Sequence, residues 1–254
     1  MVFSLQRDRP AGQRRPLRRW RGSWRLPKLR RLIGFCAILV LAFFLAPYLV
    51  APFYRVIDPV STPMLWRWAT RARVQRTFVP LRQIAPVLLI TVIMAEDGTF
   101  CSNRGIDLAA IREVLRQSDD DVEDSRGAST ITQQVAKNLF LWSGHSIVRK
   151  VLEIPLALWL NAVLPKRRIM EIYLNIAEWG PNGEFGVEAG SRYAFGIPAR
   201  DLNPVQAAEL TAILPNPLAR SARHPGVGVL RLAGLYEQRA ATYATRDACL
   251  RAAP

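Results

Sequence analysis

The chain has 254 residues, of which half are apolar and 22% are charged, and this composition excludes a chain that is disordered throughout. Two histidines and three cysteines are too few for a Cys/His zinc centre or for a disulfide-dependent scaffold. The formal net charge is +15, but residues 1–31 hold eleven basic side chains and only one acid. The charge therefore marks an N-terminal tail and not a basic domain.

Residues 32–53 form a run of 22 residues without a charge. A helix of that length extends for roughly 33 Å, enough to cross a hydrocarbon core of about 30 Å. The run is longer than the apolar region of a cleavable signal peptide, which is normally ~7–15 residues, so we expect a retained transmembrane anchor. The basic tail over 1–31 predicts a cytoplasmic N-terminus and an exported body. A nucleic-acid-binding tail is disfavoured because the tail is joined to a membrane helix.

The exported part divides into a membrane-proximal segment over 54–80, a domain over 81–240 and a C-terminal tail over 241–254. The first of these combines Trp66 and Trp68 with several arginines. That composition is typical of a stalk near lipid headgroups, and equally of an ordinary amphipathic connector. The exported body of about 200 residues suits one domain with room for two lobes.

The hydrophobic periodicity after residue 80 is helical nearly throughout, and strand patterns are scarce, so the predicted fold is mostly α. A helix that begins at Pro86 and ends at Glu96 is apolar on all faces and should be buried. Thr130 and Gln133 have the spacing of a capping box at the start of another helix. Acidic residues between 119 and 124 indicate a solvated loop. The other expected helices cover 106–117, 146–164 with Pro155 in the interior, 166–177, and a segment from Asn203 as N-cap and Pro204 to Leu214.

Glu96 and Asp97 stand at the C-terminal end of the apolar helix, where the helix dipole disfavours negative charge. A carboxylate whose pKa is raised suits a general base. The alternative is structural, with an acid that caps a neighbouring helix or pairs with Arg104 or Arg112. Cys101 lies nearby and is interpreted as a small packing residue rather than as a nucleophile.

A second candidate is the segment over 127–138, GASTITQQVAKN. On a helix, Thr130, Gln133, Gln134 and Lys137 lie on one stripe because of their i, i+3, i+4, i+7 spacing. A stripe of amides, a hydroxyl and one cation could line a groove for a polar, anionic ligand. A solvated helix face is the alternative, although such faces usually favour Glu/Lys pairs over adjacent glutamines.

A third candidate places Arg149, Lys150 and Glu153 on one face of a helix. This arrangement predicts either a cationic clamp for a phosphate or diphosphate, or a surface salt bridge worth less than about 1 kcal/mol. The motifs G-x-S-x-G, H-E-x-x-H and Walker A are absent, so the chemistry of serine hydrolases, zinc proteases and P-loop enzymes is not expected.

Four motifs occur in order along the chain: ED-x-x-F from Glu96, G-x-STITQQ-x-x-KN from Gly127, RK-x-x-E from Arg149 and K-x-x-x-x-E-x-YLN from Lys166. With these motifs in this order, the chain resembles family 51 glycosyltransferases, and more closely the monofunctional biosynthetic peptidoglycan glycosyltransferases of bacteria. The similarity runs from about residue 80 to residue 217. It implies a lysozyme-like, two-lobed helical domain behind a single N-terminal transmembrane helix.

The resemblance implies that the chain polymerises lipid II at the outer face of the inner membrane, in the periplasm. The donor would be the lipid-linked glycan chain, and the C4 hydroxyl of the next lipid II would attack it with inversion to give a β-1,4 bond. Glu96 would be the base for that hydroxyl, and Glu153 would assist at the diphosphate or position the site. The implied substrate-binding residues are Ser129, Thr130, Gln133, Gln134, Lys137, Asn138, Arg149 and Lys150.

The resemblance requires no cofactor, although Mg²⁺ assists some members of the family. Cell-wall synthesis or division proteins are further expected partners beside the lipid substrates and the membrane. The chain departs from the usual pattern at Asn103, where the family usually has histidine, and at His145, where arginine is common. These departures leave open a catalytically weak protein that binds lipid II as a scaffold. A hydrolase of finished glycan is disfavoured because glycoside hydrolysis releases no diphosphate for a cationic clamp to bind.

Overall fold

The computed structural model describes residues 26–109, 112, 129–144, 146–243 and 247–251. The basic tail up to residue 25, most of the helix expected over 106–117, the acidic segment over 119–124 and His145 lie outside the described residues. The chain divides into two compact units, residues 1–44 and residues 45–254.

The first helix, α1, spans Leu26–Val50 and is followed by a 3-10 turn over Ala51–Arg55. The segment Arg30–Arg55 has a mean hydropathy of 2.5, and it is the one helix of the described chain that is long and apolar enough to cross a membrane. Its large apolar side chains are exposed, for example those of Phe35 and Phe43. This helix fits the single-pass anchor expected over 32–53.

Helices make up most of the second unit, which confirms the mostly α fold class. They are α2 Thr62–Ala69, α3 Pro86–Glu96, α4 Ile131–Phe140, α5 Ile147–Val163, α6 Lys166–Ile176, α7 Val187–Phe195, α8 Pro204–Ile213, α9 Val227–Thr242 and α10 Ala248–Arg251. The described strands are two residues long, and β1 Gln75–Arg76 pairs in parallel with β2 Glu184–Phe185. Such short strands explain why no alternating pattern is visible in the sequence.

Two groups of helices carry the segments singled out above. Helix α3 is apolar on every side and is buried, with Leu88, Val92 and Ile93 fully inaccessible, and it packs against α8 and α9. Helix α4 packs against α5 and α6. The site therefore has Glu96 on one group and the cationic residues on the other, an arrangement consistent with the lysozyme-like domain that the resemblance implies.

The predicted N-caps of α4 and α8 are confirmed. At α4 the Thr130 hydroxyl accepts from the backbone of Gln133 at 3.1 Å, and Oε1 of Gln133 accepts from the backbone of Thr130 at 3.0 Å. Asn203 and Gln206 form the same reciprocal pair at α8. Helix α5 contains Pro155 in its interior, as the sequence predicts.

Cys101 packs against the hydrophobic core as the sequence analysis expects, but it also forms a disulfide with Cys249 that the sequence analysis missed. Their Cα atoms are 5.4 Å apart, which is ordinary for a disulfide, although 148 residues separate them in sequence. The bond ties the loop that follows Glu96 to α10. The chain has three cysteines, and Cys36 in α1 is free. The sequence alone does not indicate which two of the three form the disulfide.

Candidate active site

Glu96 ends α3 and forms a hydrogen bond to α4. Its Oε2 atom accepts from Nε2 of Gln134 at 2.8 Å, and its side chain remains partly exposed, so that a bound molecule can reach it. Burial raises the pKa of Glu96 and the charge of Asp97 raises it further, whereas the Gln134 bond and the charge of Lys137 lower it. The direction agrees with the sequence prediction, but the largest cause is burial rather than the helix dipole.

Asp97 has the structural role that the sequence left open as an alternative. Its Oδ2 atom accepts from the backbone N–H of Ile131 at 3.0 Å, so the carboxylate caps the N-terminus of α4. Nδ2 of Asn103 donates to both oxygens at 2.9 and 3.1 Å, and the Thr99 hydroxyl donates to Oδ1 at 3.1 Å. With Asp97 buried and held in this way, Glu96 is the carboxylate of the pair that is available for chemistry.

Asn103 connects Asp97 to α6. Besides its bonds to Asp97, its Oδ1 atom accepts from the backbone of Gly105 and from Nζ of Lys166, both at 2.9 Å. Lys166 also lies 4.7 Å from the centre of the Phe100 ring. Burial lowers the pKa of Lys166 to about 8 although Asp97 opposes the shift. Asn103, at the position where the resemblance implies histidine, therefore links Asp97, Gly105 and Lys166 by hydrogen bonds.

The residues of the stripe predicted on α4 have two different roles. Thr130 and Gln133 are buried in the capping box, and the Thr130 hydroxyl also donates to the backbone oxygen of Gly105 at 2.6 Å. Gln134 forms the hydrogen bond to Glu96, and Lys137 lies close enough to Glu96 to influence its pKa. The half of the stripe that faces the site is thus Gln134 and Lys137.

The third candidate segment forms the expected cluster at the start of α5. Glu153 is buried and forms ion pairs with Arg149 and with Lys150, the latter at 3.2 Å. Nζ of Lys150 also donates to the Ser129 hydroxyl. Because Arg149 is itself nearly buried, this is not the exposed salt bridge of the alternative interpretation. Glu153 holds two cations in place.

Lys137 is the cation of the site that remains available for a ligand. Burial lowers its pKa, Glu153 and Glu96 oppose that shift, and Arg149 and Lys150 reinforce it. Within the described residues no hydrogen bond or ion pair engages its ammonium group. Asn138 follows Lys137 in α4. Its backbone oxygen accepts a hydrogen bond from the Thr62 hydroxyl at 3.2 Å, and this bond does not involve the Asn138 side chain.

The chain matches a family of known proteins over most of its length. The family model described as Transglycosylase matches residues 64–238, well over half of the sequence. The chain belongs to the transglycosylase family. Among its relatives, the biosynthetic peptidoglycan transglycosylase of Nitrobacter hamburgensis is 56% identical over 84% of this chain and 93% of the relative. Proteins of the same name are 55% identical in Rhodopseudomonas palustris, over 84% of this chain and 90% of the relative, and 49% identical in Mesorhizobium japonicum, over 93% and 96%.

The last of the four motifs, which begins at Lys166, has a structural role that the sequence did not indicate. Its four polar residues hold three other segments against α6, and two of these residues bind the same segment over 79–81. Lys166 donates to Asn103, Glu171 accepts from the backbone of Leu81, the Tyr173 hydroxyl donates to Gln134 at 3.2 Å, and Asn175 pairs with the backbone of Val79. The motif could be read from the sequence, but its partners could not, because each of them lies on another element.

The resemblance allows for assistance by Mg²⁺, and the described residues offer this ion no dedicated set of protein ligands. Within the described residues, no group of three or more His, Cys, Asp or Glu side chains converges on one point. Glu96 and Glu153 are instead occupied by Gln134 and by the two cations described above. The described residues thus do not form a site for a resident metal.

Proposed function

We propose that this peptidoglycan glycosyltransferase polymerises lipid II into β-1,4-linked glycan with Glu96 as its general base. Glu96 takes the proton of the C4 hydroxyl of the incoming lipid II, and the oxygen forms a bond to C1 of the growing chain. The bond between C1 and the diphosphate breaks, and its electron pair leaves with undecaprenyl diphosphate. Attack from the side opposite to the leaving group inverts the configuration at C1. The observation that carries this proposal is the partly exposed Glu96 with its raised pKa.

The leaving diphosphate needs cations that are not already neutralised. Lys137 supplies one, because it has no ion pair within the described residues. Arg149 and Lys150 carry two positive charges against the single negative charge of Glu153, so this cluster adds one net positive charge, and Glu153 keeps both cations at the start of α5. Of the two roles open to Glu153, these ion pairs favour positioning. Ser129, Gln134 and Asn138 complete the proposed binding surface, whereas the buried Thr130 and Gln133, for which the resemblance also implies a binding role, hold the N-terminus of α4.

The proposed location is the bacterial inner membrane, with the N-terminus in the cytoplasm and the catalytic domain in the periplasm. Both substrates carry lipid tails, so the reaction has to occur beside a bilayer, and the helix over 30–55 fits a single-pass anchor. The disulfide between Cys101 and Cys249 supports an oxidising compartment, where such bonds persist.

The test is glycan formation from fluorescent lipid II in detergent by the full-length protein. We expect long glycan from the wild type and none from Glu96→Gln, with lipid II binding retained. Glu209→Gln is the matched control, because burial also raises the pKa of Glu209 but this residue lies on α8, outside the proposed catalytic residues. Polymer from Glu96→Gln would refute the base assignment. A wild type that binds lipid II without extending it would refute the polymerase.

A further inference from the structure

Gln134 bridges Glu96 to a buried tyrosine of the neighbouring helix. Its Nε2 atom donates to Oε2 of Glu96 at 2.8 Å, and its Oε1 atom accepts from the hydroxyl of Tyr173 at 3.2 Å. Tyr173 lies on α6 and is 1% exposed, so it does not touch a substrate. The hydrogen bonds through Gln134 connect the Tyr173 hydroxyl to Glu96.

We propose that Tyr173 is a positioning residue that fixes the orientation of the Gln134 amide, so that its N–H groups face Glu96. This inference rests on the proposed role of Glu96 as the base. A side-chain amide has one donor end and one acceptor end, and only the donor end can stabilise an ionised carboxylate. The Tyr173 hydroxyl occupies the acceptor end, because a phenol that donates requires an oxygen opposite it. Rotating the amide by half a turn would place its oxygen against the ionised Glu96 carboxylate and would leave the hydrogen of the Tyr173 hydroxyl without its acceptor.

The chemical environment keeps Tyr173 protonated, so its hydroxyl retains a hydrogen to donate. Burial raises the pKa of the Tyr173 phenol well above its ordinary value, and the negative charges of Glu96 and Asp97 raise it further. The titratable groups that influence Glu96 or are influenced by it are Asp97 beside it, Lys137 on α4, Tyr173 on α6 and Tyr236 on α9. Asp97 keeps its hydrogen bonds from Ile131 and Asn103 when Tyr173 is changed. The fall of kcat at low pH, the acid limb of the rate profile, therefore reports the protonation of Glu96.

Tyr173→Phe removes the hydroxyl and leaves the ring that fills the core. The amide of Gln134 can then turn its oxygen towards Glu96, which suits only the protonated carboxyl. We expect the acid limb of kcat against pH to move up by about 0.5–1 pH units, the equivalent of one hydrogen bond. The control Tyr193→Phe, on α7, removes a phenol that lies against Arg223 and should leave the limb in place. An acid limb that does not move in Tyr173→Phe overturns the inference.

A double-mutant cycle with Gln134→Met separates positioning from a general effect on packing. Gln134→Met removes the donor to Glu96, so it should raise the acid limb at least as much as Tyr173→Phe does. In that background Tyr173→Phe should have no further effect. The inference fails if Gln134→Met does not move the limb, or if Tyr173→Phe moves it equally in both backgrounds. The test with Gln134→Met alone remains valid even if Tyr173→Phe does not fold.

The Glu96→Gln variant distinguishes failure of this inference from failure of the proposed function. Full polymerisation by Glu96→Gln would remove Glu96 as the base, and the positioning role of Tyr173 would be lost with it. An inactive Glu96→Gln together with an unmoved acid limb in Tyr173→Phe would overturn the role of Tyr173 alone. Melting temperatures of all the variants, measured in the same detergent, identify any loss of activity that comes from unfolding.

Discussion

Adjacent carboxylates acquire different tasks here because their surroundings differ. The backbone N–H of Ile131 and the amide of Asn103 complete the hydrogen bonding of Asp97, whereas Glu96 receives one hydrogen bond from Gln134 and stays partly exposed. The sequence showed that one of the two was a candidate base. It could not show which one would cap a helix, because the capped residue lies 34 positions further along the chain.

At the scale of the residue, Glu96→Gln should make the folded protein more stable at pH 7. The pKa of Glu96 is raised in the folded state, so ionising it is less favourable there than in the unfolded chain. A group of this kind favours folding at low pH and loses that contribution as pH rises through its folded pKa. We expect a gain of about 1 kcal/mol, which corresponds to about 2–4 °C in melting temperature.

The dependence on pH checks this prediction. The advantage of Glu96→Gln should shrink as the pH falls towards about 4, where the carboxyl is protonated in both states. Thermal melting in detergent at pH 7 and at pH 4 measures the difference. A variant that melts at or below the wild-type temperature at pH 7 contradicts the prediction and indicates that the hydrogen bond from Gln134 outweighs the effect of burial.

At the scale of the element, α4 is the helix that places Gln134 and Lys137 beside Glu96. Its start was predictable, because the capping box of Thr130 and Gln133 is a local pattern. What holds α4 against the rest of the domain was not predictable. Asp97 caps it from the loop after α3, and Gly105 accepts from the Thr130 hydroxyl, so both contacts join segments that are distant in sequence.

The two capping boxes provide a matched pair of variants. Thr130→Ala and Asn203→Ala each remove the N-cap side chain of a reciprocal pair with glutamine, and each should reduce stability by about 0.5–2 kcal/mol. Only Thr130→Ala should also lower the rate of polymerisation under conditions where both variants are folded, because α4 carries Gln134 and Lys137. Equal rates for the two variants would show that α4 keeps its place without its cap.

The same pair tests the role in substrate binding that the resemblance implies for Thr130. A structural role predicts loss of stability and of rate together, since the hydroxyl is buried and already bonded to Gly105. If instead Thr130→Ala weakens lipid II binding while its melting temperature stays at the wild-type value, the hydroxyl is a ligand for the substrate. Binding and melting are measured on the same preparation.

At the scale of the whole molecule, the disulfide joins the loop beside the site to the far end of the chain. Helical periodicity and caps were enough to predict a mostly α domain because these signals repeat within a few residues. The pairing of Cys101 with Cys249 has no such signal and spans 148 residues. The C-terminal segment over 241–254, predicted as a tail, therefore contains α10 and one end of this bond.

Removing the disulfide should weaken the fold and the site together. Cross-linking residues so far apart in sequence restricts the unfolded chain strongly, and we expect Cys249→Ser to lose about 2–4 kcal/mol, or roughly 5–10 °C in melting temperature. Its polymerisation rate should fall, because Cys101 lies in the loop that carries Asp97 and Asn103. Dithiothreitol should shift the wild type to the same values and leave Cys249→Ser unchanged.

Cys36→Ser, which alters the free cysteine of α1, is the matched control and should behave as the wild type does in both assays. A wild type whose melting and rate do not respond to the reductant, with thiol labelling showing that the bond has opened, would mean that the packing of α10 holds this loop without the bond.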